Sequence, residues 1–255
     1  AERYLKRLQQ RYRRLFQLTS AVIVKNQTMR SRLMELGAQQ AQLVISPSGA
    51  DEQRFYGATP AFMPPRFLAV GRFVDKKGPM VTLEAFATLQ GLITHAGTCQ
   101  LVMVGDGPLL PVVQKRARQL GIEQMVHFTG ALTPDAVAKE MRRARVFVQH
   151  SRTAEDGDEE GCPVSVMEAQ LCGLPVVATR HGGIPDVVVD QQTGRLVEEG
   201  DRLAMAEAMA LLADRPDLAG VWGAAGQRRA QARFTVSHHV QQIATLLNSL
   251  VVDSR

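Results

Sequence analysis

No apolar run in this sequence approaches the ~18 residues of a membrane span, and no signal-peptide pattern is present, so neither a spanning nor an exported chain is expected. Cysteine is scarce. Cys99, Cys162 and Cys172 are the three present, too few and too irregularly placed for a disulfide framework or a zinc site, which points to a reducing compartment, the cytoplasm. Uncompensated charge is confined to one end: 30 Lys and Arg face 25 Asp and Glu, but residues 1–16 hold six basic side chains against Glu2, so the remainder carries 24 of each sign. A balanced body with 5% aromatics gives no reason to expect a nucleic-acid partner. An initiator methionine is also absent, the first residue being Ala1.

What is there begins with an amphipathic pattern. Within residues 2–16, Tyr4, Leu8, Tyr12 and Phe16 recur every four residues, flanked by Leu5 and Leu15, with Arg and Lys on the other side. Such a helix can make peripheral contact with an anionic membrane surface, at the inner face of the membrane, or dock on a core with its basic face solvated. The pattern leaves both open. A strand over residues 21–24, a helix ending at Leu36 before Gly37, and a strand over residues 43–45 follow. Residues 53–65, with three prolines and a glycine, read as a linker.

From Arg66 onward, strands near 67–72, 100–104, 125–128, 146–149 and 175–179 alternate with helices near 79–90, 109–120, 134–143, 163–172, 201–213 and 216–232. The spacing predicts an α/β, Rossmann-like, doubly wound parallel sheet whose ligand binds beyond the carboxyl ends of the strands. Gly105-Asp106-Gly107 follows the second of these strands but fails as a dinucleotide fingerprint, because Leu110 occupies the third glycine position. Asp201 is a good N-cap for the helix after it.

Residues 156–177, DGDEEGCPVSVMEAQLCGLPVV, carry the strongest signal. They read as an acidic loop, a helix opening near Pro163, a stop at Gly173 and a strand. Glu160 precedes the helix and Glu168 lies about a turn and a half inside it, so free backbone N–H groups sit between two carboxylates. One carboxylate can accept from hydroxyls at each end of a ligand whose middle is a diphosphate, which is the layout of a nucleotide-sugar. Two cations, Arg72 and Lys77, follow the first strand of the domain and suit the charge that develops on a departing diphosphate. Asp156-Gly157-Asp158 is read as a solvated acidic loop in preference to a divalent-cation site. His181 is read as an ordinary surface or hydrogen-bonded histidine rather than a base. His95, His127, His150, His238 and His239 show no metal-ligand spacing.

Glu160 to Glu168, with Val70-Gly71-Arg72, Lys77-Gly78, residues 104–109, residues 128–130 and residues 182–185 in the same order, resembles the E-x7-E pattern of the retaining family 4 (group 1) glycosyltransferases of GT-B fold. The acidic insert resembles their bacterial exopolysaccharide branch. The resemblance implies Arg72, Lys77 and Glu160 as catalytic residues. It implies Gly71, Gly105, Leu132, Gly161, Cys162, Pro163, Val164, Ser165 and Glu168 as the nucleotide-sugar site, with Leu132 at the base and Glu168 at the ribose. The donor would be a UDP- or GDP-sugar, the acceptor a saccharide or a lipid-linked one, and no metal or other cofactor would be needed. Residues 1–52 would be the tail of a partial N-terminal Rossmann-like domain, 66–234 the donor-binding domain, and 235–255 a helix packing back toward the N-terminal part. Such a piece would have little transfer activity by itself. A non-catalytic nucleotide-sugar-binding module and a UDP-sugar epimerase are the alternatives.

Overall fold

The computed structural model describes residues 2–93 and 99–252, of which residues 2–8 and 252 are described by backbone alone. Helix α1 (Glu2–Leu18) leads into β1 (Val22–Val24), α2 (Gln27–Glu35) and β2 (Leu43–Ile45), and the two strands pair in parallel. The larger unit then runs β3 (Arg66–Val70), α3 (Pro79–Leu89), β4 (Gln100–Val104), α4 (Leu110–Gln119), β5 (Val126–Gly130) and α5 (Pro134–Arg143). It continues with β6 (Val146–Gln149), α6 (Val164–Cys172), β7 (Val176–Thr179), α7 (Ile184–Val187), β8 (Gly194–Val197), α8 (Arg202–Asp214), α9 (Pro216–Arg233) and α10 (Val236–Val252).

The sheet has the order β5-β4-β3-β6-β7-β8 with every pair parallel. The strands are buried on both faces, and side-chain alternation divides the core in two. Phe67, Leu101, Met103, Val146, Val148 and Val177 face one layer, with Leu83, Phe86, Val113 and Met209 of the helices. Leu68, Val102, Val104, Phe147, Val176 and Ala178 face the other, with Val137, Met141, Val166 and Met167. Strand order reverses between β3 and β6, and it is outside this point that such sheets open a crevice.

The expected elements are present with shifted ends and one addition. Strand β3 stops at Val70, two residues short of the expected end, and Arg72 follows it in the loop as expected. The fifth expected strand runs over Val126–Gly130, because Glu123–Met125 is a 3-10 turn. Strand β8 went unread: only Leu196 and Val197 are apolar in it, and it follows a polar turn. Asp201 does cap α8, accepting from the Ala204 N–H at 2.9 Å.

Residues 53–65 pack against the larger unit: Phe55 is buried, the Ala58 N–H donates to the Cys172 carbonyl, and Arg145 donates to the Met63 carbonyl. Helix α10 returns to the first 50 residues. Ala50 bridges Thr235, and the buried Ser46 hydroxyl donates to Gln242 Oε1 while lying 2.7 Å from His239 Nδ1. Phe16 and Tyr12 of α1 dock on Val24 and Leu43, and Leu15 and Leu18 stay exposed. The rest of the α1 pattern, Tyr4, Leu5 and Leu8 with Arg3, Lys6 and Arg7, lies outside the described side chains, as does His95. Among the described residues no helix is long and apolar enough to cross a membrane.

Candidate active site

Two loops leave the sheet at its switch point, one after β3 and one after β6. The first is held by strand-like hydrogen bonds carried past the strand ends: Gly71 N–H donates to the Val104 carbonyl and Phe73 N–H to that of Asp106. Gly105 is glycine because of this approach. Its φ is +135°, and a Cβ there would stand 2.0 Å from the Gly71 carbonyl oxygen. The close contact that fixes this residue is thus with the neighbouring loop.

Lys77 ends the first loop, its stem lying over Gly71, and its Nζ reaches Glu160 Oε2 of the second loop at 2.5 Å. Both side chains are mostly buried, at 17% and 13% exposure, so the pair bridges the switch point under limited solvent screening. Arg72 is exposed and, among the described residues, makes no side-chain hydrogen bond or ion pair. Gly71, Arg72, Lys77 and Gln149 line a small open pocket at the carboxyl ends of β3, β4 and β6.

Beside that pocket α6 begins. Pro163 is its N-cap, one position earlier than a first-turn proline, and supplies no side-chain cap to the N–H groups of the first turn. Ser165 Oγ donates to Gln149 Oε1 at 2.9 Å, and Gln149 Nε2 donates to Ser151 Oγ at 2.7 Å. This polar chain fixes the first turn of α6 on β6. Gln149 is 4% exposed, and only its position as the one polar residue closing an apolar strand hints at it in the sequence. Val164 is exposed at the helix start. Cys162 packs against the core rim, and burial pushes its thiol up to about 12, with Asp186 and Glu160 adding to the rise. A thiol held protonated in this way is a poor nucleophile.

Glu168 is half-buried and, among the described residues, its carboxylate makes no hydrogen bond or ion pair. Burial pushes its carboxyl up to about 7, against the pull of Arg54 and with a push from Asp51. Arg54 is itself committed to Asp51 at 3.1 Å and to Asp135 at 2.8 Å. Leu132 packs half-buried on the core rim. Neither Glu168 nor Leu132 lines that pocket. The structure thus joins Lys77, Glu160, Gly71 and Arg72 at one place and leaves these two outside it.

The Glu160–Gly161 backbone is held from three sides. Its Glu160 N–H donates to His181 Nε2 at 2.9 Å, and the Gly161 carbonyl accepts from Gly183 N–H and from Asn26 Nδ2, both at 2.6 Å. Gly182, at φ +53°, has its Cα so close that a Cβ would lie 1.9 Å from the Glu160 carbonyl oxygen. Asn26 also caps α2 through Met29 N–H, so the first 50 residues touch the site through a buried amide. The contact continues through Gln27 N–H to Asp186 and through Arg32 to Glu159 at 2.6 and 3.0 Å. Nothing in a lone Asn before a helix, beyond its N-cap role, marks this partner. In the acidic loop, Asp156 accepts from Asp158 N–H and Asp158 pairs with Lys76 at 3.0 Å.

With this arrangement in view, comparison with known proteins decides the family. Residues 58–229 match the family described as glycosyl transferases group 1. The chain belongs to that family. It is 30% identical over 244 residues to the putative colanic acid biosynthesis glycosyltransferase WcaL of Escherichia coli, covering 94% of this chain and 59% of WcaL. It is 30% identical to the GDP-mannose-dependent alpha-(1-6)-phosphatidylinositol monomannoside mannosyltransferase of Mycolicibacterium smegmatis, over 86% of this chain and 59% of that enzyme. The chain therefore spans about three fifths of the length of these relatives. In fold it is similar to Anabaena HepE, solved in complex with UDP, with a TM-score of 0.79 at 22% identity over 91% of this chain and 64% of HepE. The GT-B fold expected from the motifs is the fold found.

Proposed function

We propose that this group 1 chain is the donor-binding part of a retaining hexosyltransferase that moves a sugar from a UDP- or GDP-sugar to a saccharide or lipid-linked acceptor in polysaccharide or glycolipid synthesis. The observation that carries the reading is the Lys77–Glu160 pair spanning the switch point, with unpaired Arg72 and the uncapped start of α6 beside it. The diphosphate would lie on the first-turn N–H groups of Val164 and Ser165, within reach of Arg72 and Lys77. As the glycosidic bond breaks, negative charge grows on the diphosphate, and cations already fixed there stabilise it with no metal required. Glu160, released in part from Lys77, would accept from sugar hydroxyls, and Glu168, with no partner of its own, from ribose hydroxyls. Relatives of both nucleotide classes are consistent with either base: the mycobacterial enzyme is GDP-mannose-dependent and HepE was solved with UDP.

In this reading residues 1–52 are the tail of the acceptor-side domain, 53–65 the linker and 66–234 the donor domain, with α10 tying the two parts. The solvated basic residues Arg11, Arg13 and Arg14 would make peripheral contact with the anionic membrane that holds a lipid-linked acceptor. Crystals soaked in UDP or GDP test the proposal. The expected density places the diphosphate between Arg72, Lys77 and the first turn of α6; a nucleotide seated elsewhere on the chain would overturn it.

A further inference from the structure

His181 is 4% exposed and lies between two groups with fixed hydrogen-bonding roles. On one side is the Glu160 N–H, a donor, 2.9 Å from Nε2. A donor there requires a lone pair on Nε2, so a neutral ring must carry its proton on Nδ1. On the other side Nδ1 faces Glu199 Oε1 at 2.5 Å, an acceptor suited to that proton. The second Glu199 oxygen accepts the Thr153 N–H at 2.9 Å, which holds the carboxylate in place. Burial works to raise the Glu199 carboxyl, but these hydrogen bonds keep it below its usual value. Glu199 comes from the loop after β8, His181 from that after β7 and Glu160 from that after β6, so three consecutive loops meet in one line of bonds.

We infer that His181 and Glu199 are positioning residues that fix the backbone at Glu160, and through it set the carboxylate that meets the donor sugar. This rests on the donor-site reading given above. Glu199 selects the imidazole tautomer, the tautomer makes Nε2 an acceptor, and the acceptor holds Glu160 at its amide. The carboxylate of Glu160 is then presented at the distance at which it meets Lys77. Neither His181 nor Glu199 lines the pocket that Arg72 and Lys77 share, so loss of the dyad should weaken recognition of the sugar and spare that of the nucleoside diphosphate.

The test compares UDP with UDP-glucose and GDP with GDP-mannose by calorimetry on the full chain, alongside hydrogen exchange of the Glu160 amide. Four proteins are used: wild type, His181→Phe, Glu199→Gln and His181→Gln. Phe keeps the ring volume without either bond. Gln at 199 has one acceptor where two are needed, forcing a donor against a donor at His181 or Thr153. Gln at 181 presents an acceptor and a donor side by side and serves as the rescue. In wild type the sugar-bearing donor of the preferred base should bind more tightly than its nucleoside diphosphate. In His181→Phe and Glu199→Gln that advantage should fall by about tenfold, with Glu160 amide exchange accelerated and diphosphate affinity retained; His181→Gln should restore both. An unchanged sugar advantage in the two disruptive variants, an equal loss of diphosphate affinity, or no sugar advantage in wild type overturns the inference. Failure of wild type to bind any of the four ligands overturns the donor-site reading itself.

Discussion

Replacing Glu168 by Gln should stabilise the protein at alkaline pH and weaken nucleotide binding there. The carboxyl is half-buried without a hydrogen-bonding partner, and burial lifts it from its ordinary 4.5 to about 7. In the folded chain the proton is therefore held to higher pH than in the unfolded chain. The stability this contributes is fully present below about pH 4.5 and is lost as pH rises through about 7. The difference between the two values corresponds to about 3 kcal/mol, which remaining solvent access reduces to about 2 kcal/mol. Glutamine does not titrate. Urea unfolding at pH 5 and pH 8.5 should show the variant gaining about 2 kcal/mol on wild type between the two. Binding gives the complementary sign: ribose hydroxyls donating to Glu168 favour the carboxylate, so nucleotide binding at pH 6–7 should release a proton. Calorimetry in buffers of different ionisation enthalpy reads that proton directly. Proton uptake, or none, together with equal stability of the two proteins at both pH values, would mean that Glu168 is neither raised by burial nor bound by the ribose.

Arg72→Ala should change unfolding free energy by less than about 0.5 kcal/mol, because the side chain is exposed and unpaired, yet lower nucleotide affinity at least about tenfold; a large stability loss with intact binding would contradict the role given it. Gly105→Ala places a methyl against the Gly71 carbonyl at a φ of +135° and should cost more than about 2 kcal/mol in a denaturant melt; a neutral result would mean the two loops separate easily. Vesicles containing anionic lipid should retain the chain in a sedimentation assay, with neutral vesicles and a variant carrying Ser at 11, 13 and 14 retaining far less. Equal retention by both vesicle types would remove the membrane contact.

Much of the fold could be read because the parallel strands are short apolar runs buried on both faces, such as residues 101–104 and 146–148, set off by caps and glycines. Strand β8 escaped because this edge strand carries only Leu196 and Val197 as apolar residues beside a part-exposed Arg195, and Gly194 gives no strand signal. The Lys77–Glu160 pair could be named residue by residue from the motifs, but not as a pair, since 83 positions separate them in the sequence and only the strand order brings their loops together. Asn26 and Glu199 gave no sequence signal, and Gln149 only a faint one, for a related reason. Each acts through the hydrogen bonds of one polar side chain to residues outside its own element, and single polar residues carry no periodicity. His181 was read as hydrogen-bonded or at the surface; it is buried, with both ring nitrogens engaged.

In the proposed function the loops around Lys77 and Glu160 receive a nucleoside diphosphate without help from a metal ion. Titration of the chain with UDP, GDP and NAD, with and without Mg²⁺, on wild type and Lys77→Ala, tests it most directly. UDP or GDP should bind equally well with and without Mg²⁺, NAD should not bind, and Lys77→Ala should lose at least about tenfold in affinity. Binding that requires Mg²⁺, or that Lys77→Ala leaves unchanged, would contradict it.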